Sequence, residues 1–204
     1  RRFAERFAPD ALRIEGTTLG VANVDIEHVV HLVRARDQYA ALVNTLLLVQ
    51  GARCLVFVRR RTDAAEVAEQ LAGDGFSTLP LSGDLPQAQR TRTLSAFRNG
   101  IVRTLIATDV AARGIDVADI DTVVHVDLPR DATTYTHRAG RTGRAGNKGR
   151  SVLLAAPRDE RHVQRVLERA RVDAEWTELP SAAKIKKALS KRARRRVHEA
   201  MSDE

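Results

Sequence analysis

The sequence is poor in the residues that mark several common classes of protein. It has one cysteine among 204 residues, which excludes an internal disulfide and a cysteine-based zinc site and is typical of a reducing compartment. No apolar run approaches the roughly 18 residues of a membrane-spanning helix. The first residues, Arg-Arg-Phe-Ala-Glu, lack the apolar core of a signal peptide. We therefore expect a cytoplasmic protein with no membrane partner and, since the first residue is not Met, a fragment or a processed chain.

Acidic residues are absent from one segment near the end of the chain. Lys184–Arg196 holds eight basic residues and no acid, and the formal net charge of the whole chain is +8. The remainder is therefore balanced in charge. A patch of this kind predicts contact with nucleic acid, because lysine and arginine neutralise phosphates and release counterions. The alternative is a solvated helix face without a partner.

Hydrophobic and charged residues, at 43% and 29% of the chain, fall in the globular range. Short apolar runs that do not alternate predict strands buried on both faces, as in a parallel sheet. A further strand is predicted where polar and apolar residues alternate over Val24–Val33. The buried runs are Cys54–Val58, Thr104–Ala107, Thr122–Val126 and Ser151–Ala155.

Segments with helical periodicity separate these strands. The alternation of strand and helix predicts an α/β fold with a doubly wound, mainly parallel sheet and helices on both faces. Beyond it, the chain predicts a basic C-terminal helical extension. The predicted helices are Arg36–Gln50, Thr62–Ala72, Gln87–Asn99, a segment from Arg158 to about Ala170, and Ala182–Met201.

Three polar segments follow predicted strands, and each of them could bind phosphate. In the segment Ala107–Asp116, Thr108 can donate to a phosphate, and Asp109 and Asp116 can accept from sugar hydroxyls or orient arginines. Gly114 allows close backbone approach. The alternative is an ordinary polar loop. In the segment Ser82–Arg90, two polar side chains lie one helical turn apart near a helix N-terminus, which favours a phosphate; a plain surface helix is the alternative. These two are Gln87 and Arg90.

The third segment, Tyr135–Gly146, has arginines at intervals of three with glycines between them. Arg138, Arg141 and Arg144 would project to one side if the segment were helical. Guanidinium groups match phosphate oxygens, and an arginine placed on a transferring phosphate accelerates the reaction by about 10³–10⁵-fold. The alternative is that these arginines pair with nearby carboxylates.

Together these segments resemble the C-terminal, second RecA-like domain of a DEAD-box RNA helicase. The resemblance covers roughly Val24–Ala156 and departs from the family pattern at Arg60 and Ser82. Its specific parts are the segments Leu55–Arg61, Gln87/Arg90, Ala107–Asp116 and His137–Arg144.

The resemblance implies that ATP is bound between two RecA-like domains, of which this chain is the second. The chain has no GxxxxGK[ST] and no Asp-Glu-Ala-Asp, so the first domain would hold Mg²⁺ and this chain no metal. The implied arginine fingers are Arg141 and Arg144. The implied cofactor-binding residues are Gly114, Asp116, His137 and Arg138, and the implied RNA-binding residues are Gln87, Arg90, Thr108, Asp109 and Arg113. The resemblance also implies that His137 and Arg138 couple this segment to acidic residues of the first domain.

The resemblance also divides the chain. Residues 1–23 would be the end of the first domain and a linker, residues 24–157 the RecA-like domain, and residues 158–204 the extension. The implied partners are RNA, mostly through its backbone, and the first domain; an oligomer is not expected, although the C-terminal helix leaves it open. The alternative function is a stand-alone RNA-binding or regulatory module. Among smaller features, Cys54 is predicted in the core, and Trp176 either packs the extension or stacks on RNA.

Overall fold

The computed structural model describes residues 25–49, 51–112, 120–144 and 146–202, without the side chains of residues 196, 197, 199, 200 and 202. Within these residues the chain alternates between strands and helices, as predicted. The strands are β1 (Ile26–Leu32), β2 (Cys54–Phe57), β3 (Thr78–Leu81), β4 (Thr104–Ala107), β5 (Thr122–His125), β6 (Gly149–Ala155) and β7 (Glu175–Trp176).

The helices lie between these strands and after the last one. Short 3₁₀ turns precede two of them, at Ala35–Asp37 and Pro157–Asp159. The α-helices are α1 (Gln38–Leu48), α2 (Arg61–Gly73), α3 (Gln87–Arg98), α4 (Asp109–Ala112), α5 (Ala132–Ala139), α6 (Glu160–Ala170) and α7 (Ala182–Ser202).

All seven strands form one parallel sheet in the order β3-β4-β2-β5-β6-β1-β7. The carboxyl ends of the central strands β4, β2 and β5 lie side by side, since Ala107 pairs with Phe57 and Phe57 with His125. In a sheet of this kind, ligands bind beyond the carboxyl ends of the strands. The doubly wound α/β prediction is therefore confirmed, and the sheet is parallel throughout.

Apolar side chains cover both faces of the sheet. On one face, Val56 and Ile106 pack with α1 and α2. On the other face, Leu55 and Leu105 pack with Phe97 of α3, and a separate group joins Tyr135 to α6. The near-continuous apolar runs of β2, β4 and β5 follow from this double burial, because inward and outward residues are equally shielded from water.

Two observed strands, β3 and β7, are absent from the sequence prediction. The edge strand β3 contains Pro80 and is only half-buried at three of its four residues, so its sequence lacks the apolar run of a central strand; proline is tolerated at a sheet edge. The strand β7 has two exposed residues and pairs only with β1. Trp176 lies on this strand with 37% of its surface exposed, which leaves both of its predicted roles open.

The body of the fold extends past the predicted boundary at residue 158. Val163, Val166 and Leu167 of α6 pack in the same group as Tyr135, and β7 extends the sheet. Among the described α-helices, only α7 contributes no residue to these buried apolar groups; it docks on α1 as a C-terminal extension. The segment assigned to the linker and the first domain, residues 1–23, lies outside the described residues. No described helix is long and apolar enough to cross a membrane.

Candidate functional site

A cleft of about 630 Å³ opens at the carboxyl edge of the sheet, beyond β2, β4 and β5. We call it the main cleft. It brings together residues of two segments that the sequence singled out, Thr108 and Asp109 from one and His137, Arg138 and Arg141 from the other. The remaining lining residues are Phe57, Arg59, Val110, Ala112, Leu128, Arg130 and Thr134.

The inner wall of the main cleft is formed by an ion pair within this domain, between the buried Arg138 and the partly exposed Asp109. Arg138 is buried, and its Nε and Nη2 donate to Oδ1 and Oδ2 of Asp109 at 2.6 and 2.9 Å. Its Nη1 donates to the carbonyl of Asp127 at 2.6 Å, and its Cζ lies 4.9 Å from the ring centroid of Phe57. This two-pronged geometry is the strongest form of an arginine–carboxylate bond. It joins the end of α5 to the start of α4.

Four buried polar side chains lie behind this pair, between the sheet and α5. Nδ1 of His28 hydrogen-bonds with the Tyr135 hydroxyl at 2.6 Å, and Nε2 of His125 hydrogen-bonds with Oγ of Ser151 at 3.0 Å. The His125 ring stacks on Tyr135, with centroids 5.3 Å apart, and on Phe57 at 6.0 Å. We call His28, Tyr135, Ser151 and His125 the polar row.

Burial keeps both histidines of the polar row neutral. Burial lowers the pKa of His28 to about 4. The pKa of His125 lies well below its ordinary value because of burial first, then the charges of Arg138 and His28. Burial also raises the pKa of the Tyr135 hydroxyl to about 12. Nε2 of His28 and Nδ1 of His125 are buried without a hydrogen-bond partner among the described residues, so a proton added there would be a buried, unsolvated charge.

The turn after α5 presents the other two arginines of the segment. The helix ends at Ala139, so Arg138 is helical whereas Arg141 and Arg144 lie beyond its end. The segment is therefore not helical throughout, and the condition under which the three arginines would project to one side is not met. Arg141 is half-buried and lines the main cleft, whereas Arg144 is exposed and its Nε donates to the carbonyl of Gly140 at 2.8 Å. Desolvation, and then the charge of Arg144, lowers the pKa of Arg141.

Close packing holds this turn against the sheet. The Thr142 hydroxyl is buried and donates to the carbonyls of Ile120 and Asp121 at 2.5 and 3.0 Å. Gly143 has a φ of +65°, which a residue without a side chain adopts at little cost. A Cβ on Gly149, at the start of β6, would lie 2.2 Å from Oγ1 of Thr142. The turn can approach β6 only because that side chain is missing.

A second cleft, of about 650 Å³, lies beside the main cleft. Three consecutive arginines at the end of β2 line it, Arg59, Arg60 and Arg61, at the start of α2. Arg59 lines both clefts, and sequence reasoning did not select any of the three as site residues. The sequence could have identified these three arginines, because they directly follow a buried strand and residues in that position lie at the carboxyl edge of a parallel sheet. The other lining residues are Thr62, Gly83, Thr108 and Val110.

The structure separates some predicted site residues from the clefts. Gln87 is exposed at the first residue of α3, and Nη2 of Arg90 donates to the carbonyl of Ala111 at 2.7 Å. Neither residue lines the main cleft or the second cleft. Arg90 thus links α3 to α4. Arg113, Gly114 and Asp116 lie outside the described residues. The described residues contain no group of three or more His, Cys, Asp or Glu side chains placed to hold a metal.

The chain matches the model of the helicase conserved C-terminal domain over residues 37–146. It is 44% identical over 153 residues to DEAD-box ATP-dependent RNA helicase 9, mitochondrial, of Arabidopsis thaliana. The aligned region covers 73% of this chain and 25% of the relative. It is 38% identical over 156 residues to the ATP-dependent RNA helicase RhlB of Pseudomonas syringae, covering 76% of this chain and 39% of the relative.

The fold is similar to that of a solved structure, Dbp5 of S. cerevisiae bound to RNA and ADP BeF3. The TM-score is 0.78 and the identity 27%, over 92% of this chain and 51% of that one. The chain thus spans about half of that structure and between a quarter and two fifths of the two curated relatives.

Proposed function

We propose, from the premise that this chain belongs to the helicase conserved C-terminal domain family of DEAD-box proteins, that it forms the second half of the ATP site of an ATP-dependent RNA helicase. The observation that supports this most strongly is the main cleft. Two segments that are about 30 residues apart in sequence contribute Thr108, Asp109, His137, Arg138 and Arg141 to one wall at the carboxyl edge. The other wall would be the first domain of a longer protein.

The residues of the main cleft fit a triphosphate. The cleft has the size of a small-molecule site, which is about 300–1,000 Å³. Arg141 is partly desolvated and lies near a second cation, Arg144, so an anion beside it would relieve an unfavourable positive potential. ATP bound there would supply the phosphoryl group that water attacks. Arg141, and Arg144 from the exposed end of the turn, would donate to the oxygens on which negative charge accumulates.

Arg138 and Asp109 would act differently from the fingers. The guanidinium of Arg138 is buried and already donates to the Asp109 carboxylate and to the backbone carbonyl of Asp127, which argues against direct contact with acids of the first domain. We assign it a positioning role, fixing the end of α5 from which the Arg141 turn departs. His137 is exposed at the cleft and keeps the proposed contact across the domain interface.

The second cleft would hold the RNA backbone. Its three arginines supply charge that is not specific for sequence, and Thr108 adds a hydroxyl at the wall shared with the main cleft. Phosphate contacts position a nucleic acid without selecting its bases. Because Arg59 and Thr108 line both clefts, closing the two domains on ATP would also alter the RNA groove. We propose that this closure distorts one strand and opens a short duplex locally.

ATP hydrolysis, measured with and without single-stranded RNA, tests the proposal. The longer protein should hydrolyse ATP and be stimulated by RNA. The 204-residue chain alone should show no RNA-stimulated turnover, because it contains no P-loop to hold the phosphates and Mg²⁺. Robust turnover by this chain alone would contradict the division of the site. A longer protein that binds RNA but never hydrolyses ATP would favour the regulatory module instead.

A further inference from the structure

The basic C-terminal helix has a fixed docking face. Ile185 of α7 is only 6% exposed. Nη1 and Nη2 of Arg192 donate to the carbonyls of Leu47 and Leu48, the first at 2.8 Å. These carbonyls belong to the last turn of α1, where the helix no longer supplies a donor four residues further on. The docking therefore fixes which faces of α7 point away from the domain.

Four cations gather on one of the remaining faces. Lys184, Lys187, Lys191 and Arg194 are all exposed, and at about 100° per residue they fall within an arc of roughly 80°. We call them the basic stripe. None of the four forms an ion pair with a carboxylate of the described residues. Along the helix they extend about 15 Å.

This arrangement is unfavourable for the helix itself. Like charges three or four residues apart repel one another, and the basic stripe has such pairs along its whole length. Cations in the first turn also oppose the helix dipole, and α7 has no acid there to offset Lys184. A face that only contacted water would be more stable with mixed signs. Binding of an external polyanion would offset both the repulsion between the cations and their unfavourable interaction with the helix dipole.

The basic stripe is also remote from the proposed clefts. It lies on the helix that caps the end of α1, and α1 leads into the start of β2. That is the amino edge of the sheet, whereas both clefts lie at its carboxyl edge. We propose that the basic stripe is a second RNA surface, which binds the phosphate backbone outside the clefts and without ATP. It would keep RNA near the domain while the clefts release it.

The salt dependence of RNA binding by the 204-residue chain tests this. The test variant is Lys187→Gln/Lys191→Gln/Arg194→Gln. The matched control, Arg161→Gln/Arg165→Gln/Arg169→Gln, removes the same charge from exposed positions on α6, where Glu160 and Glu168 are neighbours. The probe is a labelled single-stranded 20-mer RNA, followed by anisotropy from about 50 to 300 mM KCl.

The test variant should reduce the slope of log K against log salt by about 2, since each phosphate contact with a single strand contributes roughly 0.7. The control should leave the slope unchanged. An unchanged slope in the test variant, or an equal loss in both variants, would overturn the proposal. Because glutamine relieves repulsion within α7, the test variant should unfold at the same or a higher temperature, so lost binding is not lost folding.

Failure of this proposal can be distinguished from failure of the RNA cleft. Arg60→Gln in the second cleft should reduce the slope on its own and add to the effect of the stripe variant, because the two sites are far apart. If only the Arg60→Gln effect is seen, the stripe proposal is overturned and the cleft stands. If only the stripe effect is seen, the cleft assignment is overturned and the stripe stands.

Discussion

Neutral histidines in the polar row couple the stability of the domain to pH. His28 and His125 are buried, with no hydrogen-bond partner for one nitrogen each among the described residues. In the unfolded chain a histidine takes up a proton near pH 6.5, whereas the pKa of His28 in the folded state is about 4. The unfolded state therefore binds more protons in this interval. The contribution of His28 to the free energy of unfolding is therefore fully present above pH 6.5. It is lost as the solution is acidified toward pH 4.

The variant His28→Gln isolates one proton of this dependence. Its amide can still hydrogen-bond with the Tyr135 hydroxyl, but it does not titrate. Relative to the wild type, we predict that its free energy of unfolding falls less steeply between pH 6.5 and 4, by up to about 1.4 kcal/mol per pH unit. Urea unfolding at several pH values measures this difference. Parallel curves for the two proteins would show that His28 is not the group that titrates.

At the scale of elements, the turn between α5 and β6 depends on one glycine. The turn presents Arg141 to the main cleft, and Thr142 anchors it to the carbonyls that precede β5. A Cβ on Gly149 would lie 2.2 Å from Oγ1 of Thr142 and 2.4 Å from the Gly143 nitrogen. These distances are far too short for a van der Waals contact, so one of the two segments has to move.

We predict that Gly149→Ala lowers the free energy of unfolding by about 1–3 kcal/mol, the usual cost of overpacking. Gly73→Ala is the control, because no atom lies within 4 Å of the added Cβ at the end of α2. That change should be neutral or stabilise slightly, since it reduces the entropy of the unfolded chain. Denaturant unfolding compares the two variants. Equal effects would mean that the packing of the turn on β6 does not matter.

Elements with a strong local signal were predicted well from the sequence. The strand β4 was predicted at its observed bounds, and α3 within one residue of its end, because apolar runs and helix-ending glycines are local features. The helix α5 was missed, although Asp131 caps it by accepting from the Thr134 backbone at 2.7 Å. Its eight residues include three threonines, which have a weak preference for helix.

The contents of the site were predictable only in part. Parallel strands place their carboxyl ends together, so the convergence of Thr108 with the Arg138 and Arg141 segment follows from the predicted topology. The burial of Arg138 does not, because it depends on Asp109 and Phe57 from two other strand ends. The same holds for the polar row, whose members come from β1, β5, α5 and β6. Such contacts between distant segments leave no periodic signal.

At the scale of the whole molecule, the proposed functions are divided between the two edges of the sheet. The carboxyl edge has the two clefts, proposed for ATP and RNA backbone, and the amino edge has the basic stripe. The net charge of the chain, +8, therefore says little about the clefts. In the proposed function the arginines of the clefts would act through their positions, whereas the excess charge of α7 would act through its density.

The central claim is that Arg141 completes an ATP site whose other half is on the first domain. The most direct test is the kcat of RNA-stimulated ATP hydrolysis by the longer protein carrying Arg141→Ala, with Arg161→Ala on α6 as a control. We predict a fall of about 10³-fold or more for Arg141→Ala, with RNA binding retained, and wild-type kcat for the control. Wild-type kcat in Arg141→Ala would contradict the account.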